Sequence, residues 1–360
     1  MAKMKYVHII INNSYTAPYI ELVNSNFERS EHNFYVVRGW SEEKVKIPGE
    51  DNVYPISNAK NILNGFRLLK DVNRSRKIFI HGLFSPYLLL ILISQPWLFK
   101  KANWAVWGAD LYKYLTPKTS WGARMEEWLR RICIRRFAEL TCIKGDYELA
   151  RKWYDAKGTY RFAMYSTPLR TREISKIVSG LNKAPRDVIS IQIGNSATPD
   201  NNHFEILDLL KKYSGDNIRI YALLSYGDSE YGNEVIAYGK NIFKEKFVGV
   251  TQYMAFPDFV QFMNGMDIII FNHRRQQGLG NLLLASFLKK KIFMSRENTL
   301  WELLNSDYDM RVNDTAIITQ LDFENFKALN DTELEWNKSR VELVADERYV
   351  IGLWSNLFDK

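Results

Sequence analysis

The chain has 360 residues, which is too many for one typical hydrophobic core and suits two domains of about 150 to 180 residues each. Its 46% hydrophobic and 25% charged residues describe an ordinary globular protein, and its two cysteines, Cys133 and Cys142, form no CxxC pair that would indicate a zinc site or a disulfide framework. The net charge of +8 indicates an anionic partner, which can be a phosphorylated substrate, an acidic membrane or a nucleic acid.

The N-terminal apolar stretch Tyr6–Ile11 is too short for a signal sequence and predicts a first buried strand. The longest apolar run, Tyr87–Ile93, is extended beyond Pro96 by Trp97–Phe99. This run falls short of the roughly 20 apolar residues that cross a bilayer, so the sequence predicts no transmembrane helix.

Short apolar runs alternate with helical patterns through the first half of the chain, which predicts βαβ units and a parallel sheet. The predicted strands are Lys5–Ile11, Asn33–Val37, Lys77–Ile80, Asn103–Val106 and Leu140–Ile143. The predicted helices are Ala17–Phe27, Asn58–Leu69, Pro86–Phe99, Trp121–Phe137 and Tyr147–Trp153. We interpret residues 1–168 as one Rossmann-like domain.

A second series of the same kind occupies residues 187–332, which we interpret as a second Rossmann-like domain. Its predicted strands are Val188–Ile193, Ile218–Leu224, Lys246–Val250, Ile268–Phe271 and Lys291–Met294. Its predicted helices are Asn202–Lys212, Asn233–Phe243, Phe256–Asn264, Leu279–Leu288 and Thr299–Asn305. The polar, basic segment 169–186 is the predicted linker, and residues 333–360 form a predicted C-terminal helix.

A glycine turn, Gly194-Asn195-Ser196, follows the strand Val188–Ile193 and precedes the helix that begins near Asn202. Such a strand–turn–helix unit directs backbone N–H groups and the positive end of a helix dipole at one point, which suits a phosphate. An ordinary βα turn with an asparagine cap explains the same pattern.

A second glycine-bearing loop, residues 272–281, follows the strand Ile268–Phe271 and opens an apolar helix. Its arginines can pair with a diphosphate and its glycines permit close backbone approach. The alternative is a solvated basic loop, and neither a Walker A motif nor GxGxxG is present. The candidate ligands in this loop are Arg275, Gln276, Gln277, Gly278, Gly280 and Asn281.

Two further pairs of residues follow predicted strands of the second domain. Tyr226 and Gly227 come after Ile218–Leu224, and Glu297 and Asn298 come after Lys291–Met294. Because the carboxyl ends of parallel strands meet at one edge of a sheet, we expect all four to border the same cleft.

Two residues of the first domain are candidate proton acceptors. Asp110 follows the strand Asn103–Val106 among aromatic neighbours, and a carboxylate there can act as a general base or cap a turn. His81 stands where Lys77–Ile80 ends, and it can orient a ligand, accept a proton or bond to the backbone.

The predicted helix Trp121–Phe137 mixes apolar residues with Arg124, Arg130, Arg131 and Arg135. This mixture is compatible with an anionic membrane surface, and equally with an amphipathic surface helix that has a solvated basic face.

Several of these residues recur in blocks that resemble one known family. The blocks are His81-Gly82 with Phe84 and Pro86, Trp107-Gly108-Ala109-Asp110-Leu111-Tyr112, Gly145-Asp146, Gly194-Asn195-Ser196 with Asn202 and His203, Tyr226-Gly227, Arg275-Gln276-Gln277-Gly278 with Gly280, and Arg296-Glu297-Asn298 with Trp301. In this order they resemble the TDP-N-acetylfucosamine:lipid II N-acetylfucosaminyltransferases, glycosyltransferase family 56, which build enterobacterial common antigen.

The resemblance implies a GT-B fold, in which two Rossmann-like domains with parallel sheets face a cleft and a C-terminal helix crosses back to the first domain. It implies a TDP-sugar donor held by the second domain and an undecaprenyl-diphosphate-linked saccharide acceptor held by the first. Attachment to the cytoplasmic face of the bacterial inner membrane would be peripheral. An inverting transfer would need a base, for which Asp110 is the first candidate and His81 the second.

We expect neither a metal nor another cofactor. Asp307-Tyr308-Asp309 spells DxD, but it falls after the last predicted helix of the second series, and a loop pair of acids is the better interpretation. The loop around Arg275 would itself neutralise a leaving diphosphate.

Two alternatives remain open at this point. A sugar-nucleotide epimerase of GT-B shape would use the same donor site without a lipid acceptor. A nucleic-acid-binding protein would explain the positive charge, but the arginines and lysines are spread along the chain and match no recognisable module, so we expect no nucleic acid partner.

Overall fold

Two parallel β-sheets organise the chain, of which the computed structural model describes residues 4–13, 15–37, 49–56, 62–165, 169, 171–180 and 187–359. Each sheet belongs to its own compact unit. The first unit comprises Met1–Thr167 and Glu347–Lys360, and the second comprises Pro168–Asp346.

The sheet of the first unit has seven strands in the order β3-β2-β1-β4-β5-β6-β7. These strands are β1 (Tyr6–Ile11), β2 (His32–Val37), β3 (Val53–Ile56), β4 (Lys77–His81), β5 (Ala102–Ala105), β6 (Glu139–Thr141) and β7 (Thr159–Arg161). All six residues of β1 are buried, because helices cover both faces of a central parallel strand.

The helices of the first unit divide between the two faces of its sheet. They are α1 (Thr16–Asn26), α2 (Ile62–Arg74), α3 (Pro86–Ser94), α4 (Ala109–Tyr112), α5 (Trp121–Arg136), α6 (Lys144–Tyr154) and, at the end of the chain, α15 (Glu347–Phe358). Helices α2, α3, α5 and α6 contribute to the core on one face, while α1 and α15 contribute to the core on the other.

The predicted helix Pro86–Phe99 is divided in the structure. Ser85 Oγ accepts a hydrogen bond from Leu88 N, and Pro86 fits the first helical position. The α-helix ends at Ser94 because Pro96 cannot donate to the preceding turn, and a 3₁₀ segment, Pro96–Lys101, follows.

The sheet of the second unit has six strands in the order β10-β9-β8-β11-β12-β13. They are β8 (Ile189–Ile193), β9 (Ile218–Leu223), β10 (Phe247–Val250), β11 (Ile268–Phe271), β12 (Lys291–Met294) and β13 (Asn313–Asp314). Because the chain leaves β8 in one direction and later returns to its other side as β11, the strand order reverses between these two strands. Open α/β sheets bind ligands at such a reversal.

The helices of the second unit are α7 (Thr171–Ser179), α8 (His203–Leu210), α9 (Ser229–Phe243), α10 (Phe256–Asn264), α11 (Leu279–Phe287), α12 (Leu300–Glu302), α13 (Phe323–Lys327) and α14 (Asp331–Val344). A π-helical turn, Leu303–Asp307, continues α12.

Two predicted segment boundaries differ from the structure. The predicted linker 169–186 contains α7, which contacts α10 and has Ile174 fully buried, while residues 170 and 181–186 lie outside the described part. The single helix predicted over 333–360 is two helices, α14 and α15. They separate because α14 packs on α11 in the second unit, whereas the apolar side of α15 belongs to the core of the first.

Trp354 anchors α15 on the first unit. Its side chain is 1% exposed, its ring centroid lies 4.7 Å from that of Tyr19, and its Nε1 donates to Met164 O at 3.1 Å. The same helix accepts a hydrogen bond from Lys77 Nζ at Leu357 O, 3.0 Å away.

We predict that Trp354→Ala lowers the free energy of unfolding of the first unit by about 3–5 kcal/mol, because it leaves a cavity in a packed core. Urea unfolding followed by fluorescence measures this change. Trp121→Ala, which removes a side chain that is 75% exposed, is the matched control and should change stability by less than about 0.5 kcal/mol. Equal effects of the two variants would contradict the packing described for α15.

Candidate functional site

The two glycine-bearing turns of the second unit meet where its strand order reverses. Gly194 directly follows β8, and its N–H donates to Ile270 O of β11 at 3.1 Å. Gln277 Nε2, in the loop after β11, donates to Asn195 Oδ1 at 3.3 Å. The structure therefore brings together the two segments that the sequence nominated separately.

Backbone geometry requires glycine in the first turn. Gly194 has φ of +63°, and a Cβ atom there would lie 2.3 Å from His203 Nε2. Ser196 is buried, and its Oγ accepts from Asn201 Nδ2 at 3.0 Å. Ser196 thus stabilises the turn through a buried hydrogen bond instead of facing a ligand.

Asn201, which no sequence motif marks as a functional residue, links the two turns. Its Oδ1 accepts hydrogen bonds from Asn195 N at 2.9 Å and from His273 Nε2 at 2.7 Å. His273 lies in the loop after β11, so one buried oxygen joins both segments. The only signal in the sequence that points to Asn201 and His273 is their position, because both follow strands at the carboxyl edge of the sheet.

Both histidines beside the turns are neutral at pH 7. Burial lowers the pKa of His273 to about 3, and repulsion from Arg275 and from the protonated form of His203 acts in the same direction. Burial likewise lowers the pKa of His203 to about 4. These imidazoles therefore serve as hydrogen-bonding groups, and the positive charge of the site comes from elsewhere.

The start of α11 supplies part of that positive charge. Gly278, at φ of +74°, caps the helix, and the first backbone N–H groups of a helix have no acceptor within it. At Gly280 an added Cβ would meet no atom within 4 Å, so the space before this turn is open. The amides of Gly280 and Asn281 are therefore available to an anion.

The arginines of the loop are held by exposed carboxylates. Arg275 Nε lies 2.7 Å from Asp200 Oδ2 without the alignment of a hydrogen bond. Arg274 lies 3.4 Å from Glu205 and 3.5 Å from Glu297. Ion pairs this exposed contribute about 0–1 kcal/mol, so a doubly charged ligand could replace the carboxylate partners.

Two other predicted contacts have different roles in the structure. Asn298 is buried, its Nδ2 donates to Arg275 O at 3.0 Å, and its Oδ1 accepts from Leu300 N at 2.9 Å. Both amide atoms are thus engaged, and Asn298 supports the loop instead of facing a nucleoside or sugar. Gln276 Oε1 is buried without a hydrogen-bond partner among the described residues, which leaves it available to a ligand.

Tyr226 and Gly227 border the same edge. Gly227 has φ of +113°, and a Cβ there would lie 2.5 Å from Ala197 O. Ala197 N donates to Tyr226 O at 2.7 Å, which ties this loop to the Gly194 turn. The hydroxyl of Tyr226 accepts from Asn195 Nδ2 at 3.2 Å, while 57% of its side chain stays exposed for stacking.

Asp110 does not have the geometry of a base. It is fully buried, and its Oδ2 accepts from Leu83 N at 2.8 Å and Trp104 Nε1 at 2.7 Å. Its Oδ1 accepts from Trp107 N at 3.0 Å and Leu111 N at 3.1 Å. Four N–H donors occupy the carboxylate, so Asp110 organises the loops after β4 and β5 and cannot reach an acceptor hydroxyl.

His81 is equally inaccessible to a substrate. It is fully buried, its Nε2 lies 3.1 Å from His8 Nδ1, and its Nδ1 is hydrogen-bonded to the hydroxyl of Tyr165. Burial lowers the pKa of His81 to about 3. Direct contact of His81 with an acceptor is therefore not compatible with this structure.

The basic residues of α5 divide into two kinds. Arg130 is 1% exposed, donates to Leu83 O and pairs with Glu126 at 2.9 Å, so the membrane contact predicted for it is wrong. Arg124, Arg131 and Arg135 are exposed on the same helix. Among the described residues, no helix has the length and apolar character needed to cross a bilayer.

Metal-ligating side chains do not gather at this site. Within the described ranges, no three His, Cys, Asp or Glu side chains are placed to hold one ion.

Several solved structures share this architecture. A sucrose-phosphate synthase from Thermosynechococcus elongatus is 9% identical with a TM-score of 0.67, and the match covers 99% of this chain and 98% of that one. A glycosyltransferase from Rickettsia africae ESF-5 is 12% identical with a TM-score of 0.63 over 99% and 98%. WaaG, a glycosyltransferase involved in lipopolysaccharide biosynthesis, is 9% identical with a TM-score of 0.58 over 98% of both chains.

These neighbours have the GT-B fold, which confirms the fold class expected from the sequence. The family model described as 4-alpha-L-fucosyltransferase, glycosyl transferase group 56, matches residues 19–324. With two glycine turns joined at the strand-order reversal and a family match over most of its length, the chain belongs to the group 56 glycosyltransferases.

Proposed function

We propose that the protein transfers a deoxy-amino sugar resembling N-acetylfucosamine from a TDP-sugar to a hydroxyl of an undecaprenyl-diphosphate-linked saccharide. The reaction would serve bacterial surface polysaccharide synthesis at the cytoplasmic face of the inner membrane. Membership of a fucosyltransferase family supports transfer over epimerisation, and the sequence blocks described above support the nature of donor and acceptor.

The observation that carries the donor site is the hydrogen-bonded junction between the Gly194 turn and the loop after β11. It holds the positive end of α11 and the Arg275 guanidinium beside an open space. The developing charge on a leaving diphosphate would be stabilised there by preorganised N–H groups and one arginine, without a metal ion. Tyr226 offers an exposed ring for the nucleoside.

A lipid-linked acceptor is held in a membrane, so the protein would have to contact the membrane surface. One face of the first unit exposes apolar side chains that could make this contact. Helices α2, α3 and α5 bury one side against the sheet and leave large apolar side chains exposed on the other. The exposed apolar side chains on these helices and on the segments beside them are Ile62, Leu63, Phe66, Tyr87, Leu90, Trp97, Leu115, Trp121, Met125 and Trp128. We name this set the apolar face.

Basic residues accompany the apolar face. Arg67 and Lys70 are exposed on α2, and Arg124, Arg131 and Arg135 are exposed on α5. Aromatic and aliphatic side chains mixed with arginine and lysine suit the interface of an anionic bilayer, where apolar burial and attraction to headgroups add together.

We predict that Arg275→Ala lowers the affinity for thymidine diphosphate at least tenfold, because a charge-assisted hydrogen bond contributes about 1.5–3 kcal/mol. Isothermal titration calorimetry measures the dissociation constant. Arg219→Ala, an exposed arginine near the start of β9, is the matched control and should bind as the wild type does. Unchanged affinity in Arg275→Ala would remove the donor site from this loop.

We predict that the double variant Leu63→Ser/Trp121→Ser reduces binding to phosphatidylglycerol vesicles at least tenfold, because each buried apolar side chain contributes about 1.5–3 kcal/mol. Liposome flotation at fixed salt measures the bound fraction. The control is Leu329→Ser, an exposed leucine of the second unit. Equal flotation of the wild type and the double variant would show that the apolar face does not contact the membrane.

A further inference from the structure

Three buried histidines of the first unit form a continuous row across its sheet. His32 of β2, His8 of β1 and His81 of β4 lie on adjacent strands. In the strand register, His32 is opposite Tyr6 and His81 is opposite Ile10, so each histidine is displaced by two residues from the next and all three share one face. Rings of α15 cover this face.

Hydrogen bonds connect the row from end to end. His32 Nδ1 lies 3.0 Å from His8 Nε2, and His8 Nδ1 lies 3.1 Å from His81 Nε2. His81 Nδ1 is hydrogen-bonded to the hydroxyl of Tyr165. The three histidines are at most 1% exposed, while Tyr165 is partly exposed. We call these four residues the histidine row.

All three rings are neutral at pH 7. Burial lowers the pKa of His32 to about 4 and that of His81 to about 3, and it lowers the pKa of His8 well below its ordinary value. A neutral imidazole has one N–H donor and one acceptor nitrogen. His8 and His81 each use both ring nitrogens within the row, so an unbroken chain of hydrogen bonds requires every proton in it to point in the same direction. The Tyr19 hydroxyl is a more distant second contact of His8 Nδ1, at 3.4 Å.

Two proton arrangements satisfy that requirement. In the first, Tyr165 donates to His81 Nδ1, and the protons of His81 and His8 are on Nε2. In the second, every histidine has its proton on Nδ1, and His81 donates to the Tyr165 oxygen. Changing from the first arrangement to the second passes one proton along each hydrogen bond, so one proton enters at Tyr165 and one leaves from His32 Nε2.

We propose that the histidine row is the proton relay of the transfer reaction, with Tyr165 as the group that meets the acceptor hydroxyl. As the acceptor oxygen forms its bond to the sugar carbon and the bond to the diphosphate breaks, the acceptor proton passes to the Tyr165 oxygen. The Tyr165 proton passes to His81 Nδ1, the shift continues through His8, and His32 Nε2 releases a proton to water. His32 itself is buried, but it lies within three positions of Arg29 and Ser30, which are exposed, so the proton would leave on this side of the unit.

This inference rests on the proposed function and supplies the proton acceptor that the transfer reaction needs. Asp110 has no free lone pair and His81 cannot touch a substrate, yet a hydroxyl nucleophile must lose a proton. Tyr165 alone is a weak base. Because His81 Nδ1 can accept the hydroxyl proton of Tyr165, the Tyr165 oxygen can take up the proton of the acceptor hydroxyl at the same time.

The test uses the full chain with TDP-N-acetylfucosamine and an undecaprenyl-diphosphate saccharide acceptor. Tyr165→Phe keeps the ring contacts with Trp107 and Trp354 and removes the hydroxyl. His8→Phe interrupts the row at its centre, where the ring already stacks between Phe34 and Phe79 at centroid distances of 4.6 and 5.1 Å. Tyr154→Phe, another buried tyrosine of the first unit, is the matched control.

We expect Tyr165→Phe to lower kcat about 100-fold and His8→Phe about tenfold or more, while KM for the donor and the melting temperature of Tyr165→Phe stay near wild-type values. The wild type should show a solvent deuterium isotope effect with a curved proton inventory, because several protons move together, and that curvature should disappear in both variants. Tyr154→Phe should resemble the wild type. Wild-type kcat in either variant overturns the relay.

Nitrogen-15 NMR of the ring nitrogens measures the protonation state and tautomer of each histidine in the row. This test depends neither on catalysis nor on whether His8→Phe folds. At pH 7 the wild type should show His8, His32 and His81 neutral and protonated on the same nitrogen. Mixed tautomers would overturn the relay even in an active enzyme. A wild type that binds the donor but transfers no sugar would instead contradict the proposed function, whatever the tautomers are.

Discussion

One buried oxygen, Asn201 Oδ1, determines how the second unit can bind a ligand. It accepts a hydrogen bond from the turn after β8 and another from the loop after β11, so two segments far apart in sequence share one rigid junction. A donor left unsatisfied in such a place costs about 1–3 kcal/mol, which makes separation of the segments unfavourable. The N–H groups and the guanidinium beside the junction are therefore oriented before any ligand arrives, as electrostatic stabilisation requires.

Charge is arranged differently in the two units. In the second unit the exposed carboxylates Asp200, Glu205 and Glu297 hold the arginines of the loop, and each pair is weak enough to be exchanged for a ligand anion. In the first unit Asp110 receives four N–H groups and is closed to exchange. A carboxylate at the carboxyl edge of a sheet can thus be structural or exchangeable, and the number of its donors distinguishes the two cases.

The sequence predicted the central strands and the order of the elements well because buried parallel strands are continuous apolar runs. It missed β3, β7 and β13, which are short strands at the edges of the sheets. Pro55 interrupts the apolar residues of β3, while β7 and β13 have three and two residues and contain no apolar run. It also identified both loops of the candidate site, because glycine after a strand permits close backbone approach to a ligand and arginine there can pair with a diphosphate.

Other features could not be read from the chain alone. The closure of Asp110 depends on donors from Leu83 and Trp104, and the burial of Arg130 depends on Leu83 O, contacts that exist only after folding. The linkage of His32, His8 and His81 likewise depends on the strand order β2-β1-β4, which local patterns do not contain.

The return of α15 to the first unit has a consequence for biosynthesis. Val350, Trp354, Leu357 and Phe358 complete a core whose other members come from the first third of the chain and from Ala163. While the ribosome is still translating the second unit, α1 covers that sheet face without α15, and the apolar surface left exposed is prone to aggregation. The N-terminal half consequently cannot complete its native packing until residues 347–358 have been synthesised.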